Sequence, residues 1–375
     1  MKPDLIRDLL EQAGITVNGP HPWDMQVHDE RLYARLWREK SLGLGEAYID
    51  GWWDCERVDE MVFRLLRSGI GDKIRGNLRY MIRAVPWFLT NLQSKARARV
   101  IADQHYDLGN DLFFSFLDPY RQYSCGYFEG TEDLNQAQLN KLALICAKLN
   151  LTGGDHLLDI GCGWGGLARY AAERFGCQVT AVNISQEQLR AARDFCGGLP
   201  VRFRDCDYRA IDGQFDKIAS VGMFEHVGWK NYRTFFKVAH RCLKERGLLL
   251  LHTIGCNTSG KGGDEPWVAK YIFPNGMLPS MAQIAQAAEG LFVIEDWHSL
   301  GPHYDKTLMS WNVKFQQSWP CLQAQYDVRF KRMWEYYLLF FAGAFRSRTT
   351  QIWQLVMTRD GGATPQPPCR VTLGN

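Results

Sequence analysis

The sequence predicts an α/β chain, with a parallel sheet covered by helices on both faces and a small helical domain ahead of it. Three observations lead there. From about residue 152, short apolar runs alternate with segments of helical spacing. The first of those runs opens directly into a glycine-rich turn, Gly161-Cys162-Gly163-Trp164-Gly165-Gly166. Residues 1–70 instead read as helices, each stopped by glycine.

Taken in order, LIRDLLEQAG carries apolar residues at helical spacing and ends on Gly14. ERLYARLWREKSLGLGEAYIDGWWD repeats that spacing, interrupted at Gly43 and Gly45, and DEMVFRLLRSG repeats the helix-then-glycine pattern. The later part reads strand HLLDI, helix LARYAAERFG, strand QVTAVNI, helix SQEQLRAARDFC, strand PVRFRD, strand FDKIASVG, helix NYRTFFKVAHRCLK and strand GLLLLHTIG. LFVIEDWH and IWQLVMTR are late strands that close the sheet. The apolar run 336–345 is half the ~20 residues a membrane-spanning helix needs and reads as a core helix. GGATPQPPCRV reads as a frayed end.

The expected division is a helical domain at 1–90, a basic linker at 91–115 that starts the larger domain, and the α/β domain at 116–375. A chain of 375 residues with 46% hydrophobic and 23% charged residues has ordinary globular composition. Wholly disordered, collagen-like and coiled-coil proteins are excluded. A net charge of +3 argues against a dedicated nucleic-acid binder. The 11 cysteines are odd in number and without a C-x-x-C pair, so buried free thiols and a cytoplasmic location are expected. The charged N-terminus has no signal-peptide core.

The small net charge hides a local one. Between 72 and 101, seven basic residues face a single acid, interleaved with Trp87, Phe88 and several aliphatic residues. That composition suits an anionic membrane surface, and it equally suits a solvated face packed on the next domain. Both readings stand.

The strand Leu157-Leu158-Asp159-Ile160 running into the glycines is Rossmann-like, because glycines there let a ligand approach the backbone. A plain βα turn is the alternative. A dinucleotide site also wants an acid about 20 residues on, and the second strand ends at Asn183 instead. Asp159 lies just before the first glycine. That arrangement fits S-adenosylmethionine better than a dinucleotide, since no pyrophosphate has to be cradled. Gln188, one turn into the next helix, is a candidate for the missing ribose contact. Ligands in such sheets sit beyond the carboxyl ends of the strands, where Glu225, His226 and His252 fall. Three titratable groups at two adjacent strand ends mark a candidate site. No metal set stands out.

At these residues the chain resembles the bacterial cyclopropane-fatty-acyl-phospholipid synthases. The resemblance runs nearly end to end. Its strongest blocks are SLGLGEAYIDGWWD, HYDLGNDLF, QYSCGYF, LLDIGCGWGGLA, SVGMFEHVG, LLHTIG, KYIFPNG and YDKTLMSW. Mycolic-acid cyclopropane synthases share the later blocks but not the N-terminal region. The resemblance implies an S-adenosylmethionine-dependent methyltransferase fold and a methylene transfer across a cis double bond of phospholipid acyl chains. Attack by an isolated alkene on a sulfonium methyl leaves a carbocation, which needs aromatic faces and a dry pocket. The new methyl must then lose a proton, and in this family a bound bicarbonate accepts it.

By resemblance the bicarbonate is held by Cys125, Glu225, His252, the backbone at Ile254, and Tyr304. Glu225 beside an anion is puzzling on charge grounds, unless a proton is shared between them. The resemblance gives cofactor roles to Tyr123 and Ser124, and to Leu157, Leu158, Asp159, Ile160, Gly161, Cys162, Gly163, Trp164 and Gly165 at the methionine end. Asn183, Ile184 and Gln188 would line ribose and adenine, with Tyr208 and Arg209 flanking adenine. It also implies a homodimer, lipid docking by the N-terminal region, and a peripheral position at the inner face of the cytoplasmic membrane, on a bilayer of unsaturated phospholipids.

One departure matters. A cysteine just before the AGAF segment has been given a catalytic role in the family, and here that position is Phe341. The complete bicarbonate set favours a cysteine that is not chemically required. Three other readings are weighed against the synthase. A relative could make a methyl branch or a methylene group instead of a ring. An NAD-dependent oxidoreductase is disfavoured by the missing acid. A non-catalytic lipid binder is disfavoured because Glu225 and His252 are retained.

Overall fold

The computed structural model describes residues 3–69, 109–260 and 265–359. The basic stretch 72–101 and the glycine- and proline-rich end lie outside the described residues. The chain divides into two compact units, which interleave along the sequence.

The first unit comprises the described parts of Met1–Thr90, Lys261–Pro274 and Tyr304–Thr350. Its helices are Pro3–Gln12, Arg31–Glu39, Ser41–Ile49, Val58–Arg67, Pro266–Tyr271, most of Gly301–Leu322, and Val328–Arg346. A two-residue antiparallel ladder pairs Gln26–Val27 with Trp53–Asp54. The expected boundaries ran in chain order, but the packing does not. The helices Ser41–Ile49 and Val58–Arg67 pack on Val328–Arg346, far along the chain. At Gly343 an added Cβ would lie 2.4 Å from the carbonyl oxygen of Asp59, so only glycine permits that approach. Trp53, Tyr48, Tyr336 and Trp267 form the aromatic centre, and Trp53 Nε1 donates to the Leu44 carbonyl at 3.0 Å. The run 336–345 is a largely buried helical segment here, as its length predicts.

The second unit holds the sheet. Its strands are β1 (His156–Ile160), β2 (Gln178–Asn183), β3 (Val201–Asp205), β4 (Phe215–Val221), β5 (Leu243–Cys256), β6 (Phe292–Ser299) and β7 (Thr350–Arg359). Their spatial order is β3-β2-β1-β4-β5-β7-β6. Pairing is parallel from β3 through β5, and β6 runs antiparallel to β7. Both faces are buried, so alternate residues enter different cores. Leu157, Leu248 and Leu250 join one cluster, with Leu142, Ile145 and Ala168 from covering helices. Leu158, Leu249 and Leu251 join the other, with Phe235 and Phe236. The order reverses between β1 and β4, and such a switch point opens a crevice beyond the strands' carboxyl ends. Ten free cysteines lie among the described residues, seven of them buried.

Candidate active site

The glycine turn sits where β1 ends. Gly161, Gly163 and Gly165 have φ of 85°, 53° and 82°, in the region that disfavours any side chain. The amides of Gly161 and Cys162 donate to the Val182 carbonyl, at 2.8 and 3.1 Å, which ties the turn to β2. Trp164 Nε1 donates to Asn110 Oδ1 at 2.7 Å, and Phe113 and Phe114 pack on the same indole.

Asp159 is buried at the centre of this arrangement, and burial pushes its carboxyl up to about 7. Its Oδ2 has no hydrogen-bond partner among the described residues. An orphaned buried acceptor beside a left-handed glycine turn is what a ligand carrying an amine would satisfy. Next along the sheet edge, Asn183 Nδ2 donates to Gln188 Oε1 at 2.8 Å, and Asn183 Oδ1 accepts from the Ile184 amide at 2.8 Å. Ser185 caps the following helix by accepting from the Gln188 amide. After β3, Arg209 is held by Asp207 at 2.8 Å, and its guanidinium lies 4.9 Å from the centre of the Tyr208 ring. The Tyr208 hydroxyl is buried and unpartnered among the described residues.

The segment Tyr123-Ser124-Cys125 is fixed by polar groups that sequence reasoning missed. Asp118 accepts from the amides of Tyr120 and Gln122 at 2.7 and 2.8 Å. Gln138 Nε2 donates to the Ser124 carbonyl at 2.8 Å. Lys141, fully buried, donates to Ser124 Oγ at 3.0 Å and to Gln122 Oε1. Burial pulls its ammonium down to about 8, opposed by the charges of Asp118, Cys125 and Asp159. A signal existed. In the helix Leu134–Lys148, Gln138 and Lys141 recur at helical spacing on the same stripe as Leu134, Ala137, Leu142 and Ile145. Polar residues on a buried stripe are there for a partner. Tyr123 itself packs on Phe113, with ring centres 5.1 Å apart. Cys125 is fully buried.

The ends of β4 and β5 bring three predicted residues together. Val221 pairs with His252, and the chain then turns so that Glu225 Oε1 accepts the Ile254 amide at 2.6 Å. The Glu225 carbonyl accepts the Met277 amide at 2.8 Å. Burial pushes the Glu225 carboxyl up to about 7, and Oε2 has no partner among the described residues. His252 is fully buried and held well below its ordinary value, by burial first and then by the charges of Lys141, Lys148 and His298. Its Nδ1 meets Gln354 Nε2 at 3.2 Å, and its Nε2 is unpartnered among the described residues. The ends of β4 and β5 thus offer a carboxyl near its neutral form and a neutral imidazole. His226 follows Glu225 in the same turn, and burial pulls it down to about 4. Tyr304 belongs to the first unit, where its ring packs on Phe345 at 4.5 Å and on Trp311 at 6.0 Å.

The sequence model of the mycolic acid cyclopropane synthetase family matches residues 93–355. The chain belongs to the mycolic acid cyclopropane synthetase family. Among relatives, the cyclopropane-fatty-acyl-phospholipid synthase of Escherichia coli is 50% identical over 95% of this chain and 93% of its own. The tuberculostearic acid methyltransferase of Mycobacterium tuberculosis is 32% identical over 88% of this chain and 82% of its own. A solved mycolic acid cyclopropane synthase, complexed with S-adenosylhomocysteine and CTAB, is 32% identical, with a TM-score of 0.64 over 69% of this chain and 97% of that one. As a member of the cyclopropane synthetase family, the chain has an S-adenosylmethionine-dependent methyltransferase fold, and the sheet order and glycine turn are its framework.

Proposed function

We propose that this chain is a cyclopropane-fatty-acyl-phospholipid synthase, transferring a methylene from S-adenosylmethionine to the cis double bond of unsaturated acyl chains in membrane phospholipids. One observation carries the reading: the match to the Escherichia coli enzyme, at 50% identity, spans the N-terminal region as well as the sheet. The site residues supply a consistent chemistry. Bound S-adenosylmethionine supplies the one-carbon electrophile, and bicarbonate supplies the acceptor for the proton lost on ring closure.

The backbone from Leu157 to Gly165 admits the methionine end, and Asp159 receives its amine. Tyr123 and Ser124 close over it, braced by Gln138 and Lys141. Asn183, Ile184 and Gln188 take the ribose and adenine, which Tyr208 and Arg209 flank. Glu225, near its neutral form at neutral pH, donates from the carboxyl oxygen that the Ile254 amide leaves free. This resolves the charge conflict with an anion, because the carboxyl keeps the proton. His252 donates beside it, and Cys125 is buried in the same unit. The resemblance adds Tyr304 to this set, and Tyr304→Phe tests its hydroxyl.

Purified protein with S-adenosylmethionine, bicarbonate and vesicles of unsaturated phospholipid is expected to yield lipid heavier by one CH2 unit. No such product would sink the proposal. The match to the tuberculostearic acid methyltransferase keeps a second product class in view, methyl-branched or methylene chains. Product NMR separates a ring from a methylene group of equal mass.

Among the described residues no helix is long and apolar enough to cross a membrane. The phospholipid substrate and the basic composition of 72–101 support a peripheral position at the inner face of the cytoplasmic membrane. Vesicle binding is expected to fall with added salt and with neutral lipid. Neutralising several of the seven basic residues without weakening binding would remove that role. A homodimer docked through the N-terminal region is part of the same proposal, and sedimentation gives its mass.

A further inference from the structure

Gln354 lies in the middle of β7, among Ile352, Trp353, Leu355, Val356 and Met357, and is itself fully buried. An amide placed in an apolar strand costs free energy unless it is bonded. Its Nε2 lies 3.2 Å from His252 Nδ1. An amide nitrogen is a donor only, so the facing Nδ1 must be bare. His252 is a neutral imidazole, held so by its burial and by Lys141, Lys148 and His298. A neutral imidazole carries one proton, and with Nδ1 bare that proton sits on Nε2. Nε2 is the buried nitrogen without a partner among the described residues.

We infer that Gln354 is a positioning residue, which selects the tautomer of His252 and leaves its Nε2–H to donate to an anion in the site. This rests on the reading in which His252 helps hold the proton acceptor. A polar group lies on the neighbouring strand. His298 is the register partner of Gln354 across β6, and its Nδ1 lies 3.1 Å from Lys148 Nζ. Lys148 is in turn paired with Asp296 at 2.9 Å. Gln354 Oε1 is buried without a hydrogen-bond partner among the described residues, so the contact with His252 is what its side chain makes there.

The test reads the imidazole directly, in full-length protein labelled with [15N]histidine. Long-range proton–nitrogen correlation spectra distinguish the two tautomers, and the His252 resonance is assigned by its loss in His252→Gln. Wild-type protein is expected to show the proton on Nε2. Gln354→Glu puts an acceptor against Nδ1 and is expected to draw the proton there. Gln354→Leu, which keeps the volume, is expected to give a mixture. Turnover is expected to fall on the order of 10- to 100-fold in Gln354→Glu, the scale seen when an orienting partner is lost, with KM for S-adenosylmethionine unchanged. A wild-type spectrum with the proton on Nδ1 would overturn the inference without any variant, as would a Gln354→Glu spectrum like the wild type. Failure of the bicarbonate reading is separately visible: the tautomers would behave as stated, while added bicarbonate changed neither the His252 resonance nor the rate.

Discussion

The carboxyl of Glu225 is tied to the backbone amide of Ile254 by a 2.6 Å hydrogen bond, although 29 residues separate them. The bond fastens the turn after β4 to the end of β5. It also uses one carboxyl oxygen and leaves the other buried and free among the described residues.

This geometry makes stability depend on pH. Burial raises Glu225 from its ordinary 4.5 to about 7. Between those values the folded protein keeps a proton that the unfolded chain has released. The group's contribution is therefore full below about 4.5 and is lost as pH rises through about 7, at about 1.4 kcal/mol per pH unit. Glu225→Gln removes that dependence. In urea unfolding at pH 5 and pH 7.5, the loss of stability is expected to be smaller in Glu225→Gln by about 2–3 kcal/mol. Equal losses in the two proteins would show that Glu225 ionises normally.

The Asn183–Gln188 bond of 2.8 Å stands where a ribose-binding acid is absent. Both side chains are proposed to meet the ribose and adenine. Gln188→Ala frees Asn183 and deletes one polar contact, worth about 1.4 kcal/mol, or about tenfold in affinity. Calorimetric titration with S-adenosylhomocysteine is expected to show that loss in Gln188→Ala and in Asn183→Leu. Unchanged affinity in both would remove the pair from the cofactor site.

Lys141 gives a prediction that separates packing from binding. Its ammonium satisfies Ser124 Oγ and Gln122 Oε1 inside the core. Lys141→Met fills the space and strands both acceptors, at a cost of about 2–3 kcal/mol by thermal or urea unfolding. Because Ser124 is a proposed cofactor contact, affinity for S-adenosylhomocysteine is expected to fall as well. Loss of stability with full affinity would mean that the buried network serves the fold alone.

How much of this was legible in the sequence depended on the kind of contact. The strands could be read because burial on both faces leaves unbroken apolar runs, as in Leu248 to Leu251. The start of β5 could not, since Lys244, Glu245 and Arg246 are exposed and charged, yet Leu243 still pairs with Phe215. Motif residues such as Asp159, Glu225 and His252 could be named from position in the alternating pattern. Their partners could not, because the Ile254 contact is a backbone amide and Gln354 comes from a strand 102 residues away. The interleaving of the two units was equally hidden. The helix Val328–Arg346 carries an apolar stripe that does not say which distant helices it will cover.

The departure at Phe341 yields the last prediction. Where the family is assigned a catalytic cysteine, this chain has an aromatic ring, packed on Tyr337 at 5.6 Å and on Phe340 at 5.7 Å. A thiol there would have to act as nucleophile or base, and a phenyl ring can do neither. If the proton leaves through the proposed anion set, Phe341→Cys changes no reacting group. Turnover on unsaturated phospholipid is then expected to stay within about threefold of wild type, since only packing around the ring is altered. The half-buried ring would be replaced by a smaller side chain, at a cost of about 1–2 kcal/mol, below the loss for a fully buried phenylalanine. Thermal unfolding measured beside the rate separates these effects. A slower, less stable variant is a packing defect. A variant faster by orders of magnitude would mean that the cysteine takes part in the chemistry, and that this chain works without a group its relatives use.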